Sequence, residues 1–223
     1  MHSCSRVRAV VFDLDGLMFN TEELYQHVGG EILRRRGHEW TQELLDAMMG
    51  RPGRVALQIM IERHALDATV EELAAESEVI FESILDTQLE PMPGLLGLLD
   101  ALEATGIPKA IATSSGRRFT LGVLARYALE RRFRFVLTAE DVVEGKPHPE
   151  IYLHAASLFG IRSAELVVLE DSANGCRAGV AAGALVVAVP TAQSRAHDFA
   201  GARLIAEGLA DRRLYQVLGL LPP

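Results

Sequence analysis

The sequence predicts an α/β protein, a doubly wound parallel sheet that carries an inserted bundle of helices. Three observations lead to this reading. From Gly94 onward, short β-branched apolar runs alternate with helical patterns, as they do where strands are joined by helical crossovers. Between the first apolar run and that alternation lie about 75 residues whose apolar positions recur near helical spacing. Finally, polar residues able to do chemistry stand at the ends of consecutive apolar runs, and open α/β sheets hold their ligands outside the carboxyl ends of their strands.

The elements follow in order. Arg8 to Phe12 is β-branched and aromatic enough to form a buried strand. It breaks at Asp13-Leu14-Asp15-Gly16, which is either an ordinary turn or a site. Two carboxylates one residue apart repel, so a cation or a shared proton must compensate, and a hard cation such as Mg²⁺ fits that need. Helices are expected over Thr21 to Arg36, Thr41 to Met49, Gly53 to His64 and Val70 to Leu89. Within them Ile32-Leu33, Leu44-Leu45 with Met48, and Leu57 with Met60-Ile61 read as the core of a small bundle. Two prolines and a glycine in Leu89-Glu90-Pro91-Met92-Pro93-Gly94 cannot continue a helix and mark a linker. The expected division is therefore a core of residues 1–19 plus 91–223 and a helical insert of residues 20–90. Strands are expected near 108–112, 134–138, 166–170 and 185–189, with helices near 94–105, 116–128, 149–159 and 174–182.

Four of these strand ends carry a coherent set of residue types. Asp13 and Asp15 follow the first run, and Thr113-Ser114-Ser115-Gly116 ends the second. Gly145-Lys146-Pro147-His148-Pro149 forms a rigid turn before a helix, and Glu170-Asp171-Ser172 ends the run Leu166 to Leu169. Each has an ordinary explanation alone: a hydroxyl after a strand caps a helix, and a lysine in a turn is solvated. Together, at consecutive strand ends, they make one site of acids, hydroxyl and lysine.

These motifs resemble the haloacid dehalogenase-like phosphohydrolases. The matching residues are Asp13-Leu14-Asp15-Gly16-Leu17 with Thr21-Glu22, Thr113-Ser114-Ser115-Gly116, Gly145-Lys146-Pro147, and Glu170-Asp171 with Asn174-Gly175. Within that superfamily the chain looks most like the branch of β-phosphoglucomutase, 2-deoxyglucose-6-phosphatase and pseudouridine-5′-phosphatase. The resemblance implies a Rossmann-like core and a helical cap domain that sets substrate choice. It implies that Asp13 attacks phosphorus to give an aspartyl-phosphate. Asp15 would protonate the leaving alcohol and then activate water, a role that needs the proton at the first step. Thr113 would donate to the phosphoryl oxygens, with Ser114, Ser115 and Asn174 beside the substrate. Lys146 would hold the nucleophile and offset charge on the transferring group. Mg²⁺ would be held by Asp13, the Asp15 backbone carbonyl, Asp171 and Glu170.

The insert joins the core near the site at Gly16–Thr21 and Glu90–Gly94, so a cap on two such linkers could open for substrate and close against water. Candidate selecting residues are Asn20, His27, Arg51, Arg54 and Gln58, with solvated surface arginines the alternative for Arg51 and Arg54. β-Phosphoglucomutase carries a histidine four residues after its hinge threonine, whereas Tyr25 stands there in this chain, and its cap signature is replaced by Gly50-Arg51-Pro52-Gly53. A phosphatase is therefore preferred to a phosphosugar mutase. Asp15 argues against dehalogenation, since a halide needs no protonation. A phospho-receiver domain shares the aspartate, hydroxyl and lysine, but lacks the Asp-x-Asp spacing and a large helical insert.

Composition agrees. A formal charge of −8 argues against non-specific binding to nucleic acid or anionic membranes, so a small-molecule phosphate ester must meet a local positive site. Cys4 and Cys176 are too few for a disulfide framework, which points to a reducing, cytoplasmic setting. Arg6 and Arg8 precede no long apolar region, so no signal peptide is expected. The longest apolar stretch, Gly179 to Pro190, is too short to span a bilayer. No coiled-coil seam is evident, and the expected state is a monomer.

Overall fold

The computed structural model describes residues 7–48 and 53–221. The sheet has six parallel strands in the order β3-β2-β1-β4-β5-β6. They are β1 (Ala9–Phe12), β2 (Lys109–Ala112), β3 (Val136–Leu137), β4 (Leu166–Glu170), β5 (Leu185–Ala188) and β6 (Leu204–Ile205). Strands β1, β2 and β4 are buried at every position, as expected for strands covered on both faces. The chain runs outward from β1 to β2 and β3, then returns to the other side of β1 for β4, β5 and β6. That reversal puts the switch point between β1 and β4, where ligands of such sheets bind. Register aligns the strand ends: Phe12 lies opposite Ile111 on one side and Leu169 on the other. The Asp13 amide continues the ladder to the Leu169 carbonyl at 3.0 Å, and the Thr113 amide reaches the Leu137 carbonyl at 3.0 Å.

The helices that accompany the sheet are α5 (Leu95–Ala104), α6 (Arg117–Arg126), α7 (Glu150–Phe159), α8 (Ala173–Ala181) and α9 (Arg212–Leu218). A core of Ala9, Val11, Ala110, Ile151, Tyr152, Ala155, Val168, Cys176 and Val186 packs α7 and α8 on one face of the sheet. Gly94 is needed at the start of α5: its φ is +88°, and a Cβ there would lie 2.7 Å from the Ala210 backbone nitrogen. The sequence does not predict the two-residue edge strand β6 or α9. The first is too short to show a period. The second is a seven-residue helix, capped by Asp211 and ended by Gly219 at φ +71°. The strand expected over 134–138 shortens to Val136–Leu137, because Thr138 turns to form a reciprocal cap with Asp141.

Contacts between backbone positions divide the chain into two compact units, one running through Phe19 and resuming at Pro91, the other Asn20–Glu90. The second unit holds α1 (Thr21–Arg35), α2 (Gln42–Met48), α3 (Gly53–His64) and α4 (Val70–Gln88). Its core includes Leu24, Val28, Ile32, Leu33, Leu44, Met60, Leu73, Ile80 and Leu85. Arg35 and Arg36 tie α1 to α4 through Glu76 at 3.1 and 2.7 Å. Among the described residues no helix is long and apolar enough to cross a membrane.

Candidate active site

Four segments bring the predicted polar residues together in the first unit. Asp13 follows β1, Thr113 follows β2, Lys146 sits in the loop before α7, and Glu170 closes β4 with Asp171 next to it. The loop that presents Lys146 is held by Glu150 at the start of α7, whose carboxylate accepts from the amides of Val143 and Glu144 at 2.9 Å each. Lys146 Nζ then donates to Asp13 Oδ1 at 2.5 Å, Glu170 Oε1 at 2.6 Å and the Ala112 carbonyl at 2.9 Å. An ammonium has three protons, so all three are used.

Charge in this cluster is unbalanced. Asp13, Glu170 and Asp171 are all buried, and one oxygen of each lies within 4.8 Å of the others. Asp15 adds a fourth carboxylate, and Lys146 supplies one positive charge. Burial raises the Asp13 pKa well above the ordinary carboxylate range, against the opposing pull of Lys146. For Lys146, burial disfavours the ammonium, but Asp13 and Glu170 more than offset it and hold its pKa above the usual lysine value. A set of hard oxygen donors with this surplus of negative charge suits Mg²⁺.

Asp15 is held differently. Its Oδ2 accepts from Ser115 Oγ at 2.5 Å and from Thr113 Oγ1 at 3.3 Å, while Oδ1 is buried with no hydrogen-bond partner. Thr113 Oγ1 also accepts from the Ser115 amide at 3.0 Å, which fixes the turn after β2. Exposed Ser114 lines, with Thr113, Val142, Gly145, Lys146 and Ile151, a cleft beside these residues.

The remaining predicted residues separate. Asn174 Oδ1, in the first turn of α8, is engaged by Arg177 at 2.6 Å. Arg54 pairs with Glu71 on the exposed face of the helical unit, and Arg51 lies outside the described residues. Asn20 is used as a clasp: its amide donates to the Gln88 carbonyl at 3.0 Å and accepts from the Glu90 amide at 2.8 Å, joining the two ends of the insert. Gln58 pairs with Glu62 at 2.8 Å, and Tyr25 stacks on Phe81 with ring centres 4.7 Å apart.

Sequence reasoning missed the surroundings of Glu170. Tyr152 OH donates to its Oε1, Ser172 Oγ donates to Oε2 at 3.0 Å, and α8 passes so close that Gly175 is required. Tyr152 reads in sequence as one more apolar-face residue of a helix, and no spacing links it to Glu170. Among the described residues, Glu144, His148 and Glu150 form a second acidic group, largely exposed and with Glu150 already bound to the backbone.

Residues 10–189 match the model of the haloacid dehalogenase-like hydrolases. A Drosophila melanogaster protein named for pseudouridine-5′-phosphatase activity is 34% identical over 212 residues, covering 92% of this chain and 91% of its own. A phosphorylated carbohydrates phosphatase of Thermotoga maritima is 31% identical over 177 residues, covering 79% and 82%. A bifunctional riboflavin kinase/FMN phosphatase of Arabidopsis thaliana is 29% identical over 206 residues, and the chain spans 54% of its length. Among solved structures, one from Thermotoga maritima described as a β-phosphoglucomutase superposes with a TM-score of 0.80 at 28% identity, covering 95% of this chain and 97% of that one.

Proposed function

The chain belongs to the haloacid dehalogenase-like hydrolases, and we propose that it is a Mg²⁺-dependent phosphatase that hydrolyses a small phosphorylated metabolite, a sugar phosphate or nucleoside monophosphate. The observation that carries the reading is the pairing of a lysine-held buried aspartate, Asp13, with a second aspartate, Asp15, that keeps one buried oxygen without a donor.

In this reading Asp13 is the nucleophile. Its carboxylate oxygen forms a bond to phosphorus as the ester P–O bond breaks, giving an aspartyl-phosphate and an alkoxide. Asp15 delivers its proton to that alkoxide. Asp15 then takes a proton from water as the water attacks phosphorus, which releases phosphate and restores Asp13. Lys146 keeps Asp13 Oδ1 oriented and offsets charge on the transferring oxygens. Thr113 and Ser115 hold Asp15 in register through both steps. Asp13, Asp171 and the Asp15 backbone carbonyl, with Glu170 adjacent, would hold Mg²⁺, which neutralises phosphoryl charge.

The relatives' names support phosphate monoesters of carbohydrates and nucleosides as the class. The helical unit is proposed as the substrate-selecting cap, with Arg51 and Arg54 as its candidate contacts. The working picture is a monomeric cytoplasmic enzyme whose partner is a small-molecule ester, not nucleic acid or membrane. Tyr25 packed on Phe81 supplies no imidazole at the position where the mutase has one, which favours hydrolysis over isomerisation. The test is phosphate release from a panel of sugar phosphates and nucleotides with Mg²⁺, with glucose 1-phosphate isomerisation followed in parallel. Selective release is expected; isomerisation with little free phosphate would make the protein a mutase.

A further inference from the structure

We propose that Tyr152 is a positioning residue for the reaction, acting through Glu170 to hold Lys146 against Asp13. The proposal rests on the roles assigned above to Asp13 and Lys146, and it starts from how the Glu170 carboxylate is enclosed.

Glu170 is fully buried, and both of its oxygens are claimed. Oε1 accepts from Lys146 Nζ at 2.6 Å and from Tyr152 OH. Oε2 accepts from Ser172 Oγ at 3.0 Å, with the Ser172 amide at 3.5 Å. A carboxylate oxygen offers about two lone-pair directions, so Oε1 is saturated. Behind the carboxylate, Gly175 leaves no more than the space of a hydrogen: a Cβ there would lie 1.9 Å from the carboxylate carbon. Glu170 is therefore held by its donors and has no room to move toward Gly175. With its oxygens spent on these donors, it acts as the anchor of Lys146 and lends the metal site mainly charge.

Tyr152 is built for this task. Its ring is fully buried in the core with Ile151, Ala155, Val168 and Cys176, so the hydroxyl has a fixed direction. The Lys146 ammonium lies 5.2 Å from the centre of the same ring. A buried tyrosine needs some acceptor, and a backbone carbonyl would satisfy it. Here the acceptor is the same oxygen that receives Lys146. The consequence runs in one direction: Tyr152 fixes Oε1, Oε1 and the Ala112 carbonyl fix the ammonium, and the third ammonium proton points at Asp13 Oδ1.

The test is Tyr152→Phe, which keeps the ring and removes the donor. Two readouts are taken on the full chain: Mg²⁺ titrated calorimetrically into substrate-free protein, and steady-state phosphate release at saturating Mg²⁺. The expected result is a Mg²⁺ dissociation constant raised about tenfold and kcat lowered about tenfold, with KM within about twofold of wild type. Wild-type kcat and Mg²⁺ affinity in the variant, with or without a lower Tm, would overturn the proposal and leave Tyr152 a packing residue. Should Tyr152→Phe fail to fold, Glu170→Gln is compared with Tyr152→Phe/Glu170→Gln, where no buried charge is left wanting a donor. Agreement of that pair within about twofold is expected if Tyr152 acts through Glu170, and a further fivefold loss in the double variant would refute it. A shifted Mg²⁺ constant in protein that releases phosphate from no ester would retain the positioning role and reject the phosphatase reading.

Discussion

Gly175→Ala gives the most demanding check on the site, because a single methyl is aimed at its most constrained group. Gly175 lies in the first turn of α8, where its amide donates to Ser172 Oγ at 3.1 Å. An alanine Cβ would sit 1.9 Å from the Glu170 carboxylate carbon and from Oε1, and 2.1 Å from Oε2. Ordinary contact begins near 3.4 Å, so the carboxylate has to retreat by about 1.5 Å. A shift of that size cannot leave the 2.6 Å bond from Lys146 and the bond from Tyr152 OH in their present geometry. Breaking a buried ion pair costs about 3–5 kcal/mol, since it strands charge in the interior. The better helix propensity of alanine returns about 1 kcal/mol. The net loss is about 2–4 kcal/mol, which for a chain of this size lowers Tm by about 5–15 °C. Thermal unfolding followed by circular dichroism measures the shift, and phosphate release measures the accompanying loss of turnover. A variant with wild-type Tm and kcat would mean that Glu170 is not caged as described, and the reasoning from Lys146 to Asp13 would fall with it.

Other expected outcomes are simpler to reach. Asp13→Asn removes the proposed nucleophile and little packing, so phosphate release should fall by about four orders of magnitude or more with the circular dichroism spectrum unchanged; turnover near wild type would exclude the covalent route. Gly122→Ala, in the middle of α6, meets nothing closer than Arg126 Nη1 at 3.6 Å and should raise stability by about 0.5–1 kcal/mol in urea unfolding, the opposite sign to Gly175→Ala. The Glu103 pKa is lowered to about 2, chiefly by hydrogen bonds from Arg132 and then Lys109. Because the folded value is the depressed one, this stabilisation is present above the ordinary carboxylate range and is lost as pH falls toward 2. Glu103 is partly exposed, so Glu103→Gln should cost about 1 kcal/mol at neutral pH, with the gap to wild type closing in acid; a gap that stays constant to pH 2 would refute the assignment.

How much of this was legible in the sequence follows from what each residue is held by. Asp13 and Thr113 stand directly after short apolar runs and Asp171 one residue beyond another, and a short apolar run that ends in polar residues is a local signal. Lys146 is marked in sequence by its Gly-Lys-Pro turn, although the loop that carries it depends on Glu150 reaching back to Val143 and Glu144. Lys109 reads in sequence as part of an apolar strand. It is buried there, and its charge is met by Glu103 at 2.6 Å, a pairing that no periodicity reveals. Asn20 reads as a candidate selecting residue because it is polar and stands near a helix start of the insert. The backbone at Gln88 and Glu90 uses both ends of its amide, and that partnership spans 68 and 70 residues. Polar residues that close long loops look in sequence like polar residues that face a ligand.

The same distinction explains why the site divides into a legible half and a hidden one. Parallel strands in the order β3-β2-β1-β4-β5-β6 convert every strand end into a point on one edge of the sheet, so the ends of β1, β2 and β4 must be neighbours whatever lies between them in sequence. Residues that sit on that edge are found by locating strands. Tyr152 and Gly175 instead approach from the helix layer, on α7 and α8, and their relation to Glu170 is set by how closely those helices pack. A glycine that admits a carboxylate and a tyrosine that orients it are written as ordinary helix residues. The groups proposed to do the chemistry are thus marked by strand ends, while those proposed to aim them are marked only by packing, and Lys146 is where the two sets meet: its ammonium reaches Asp13 on one side and, through Glu170, Tyr152 on the other.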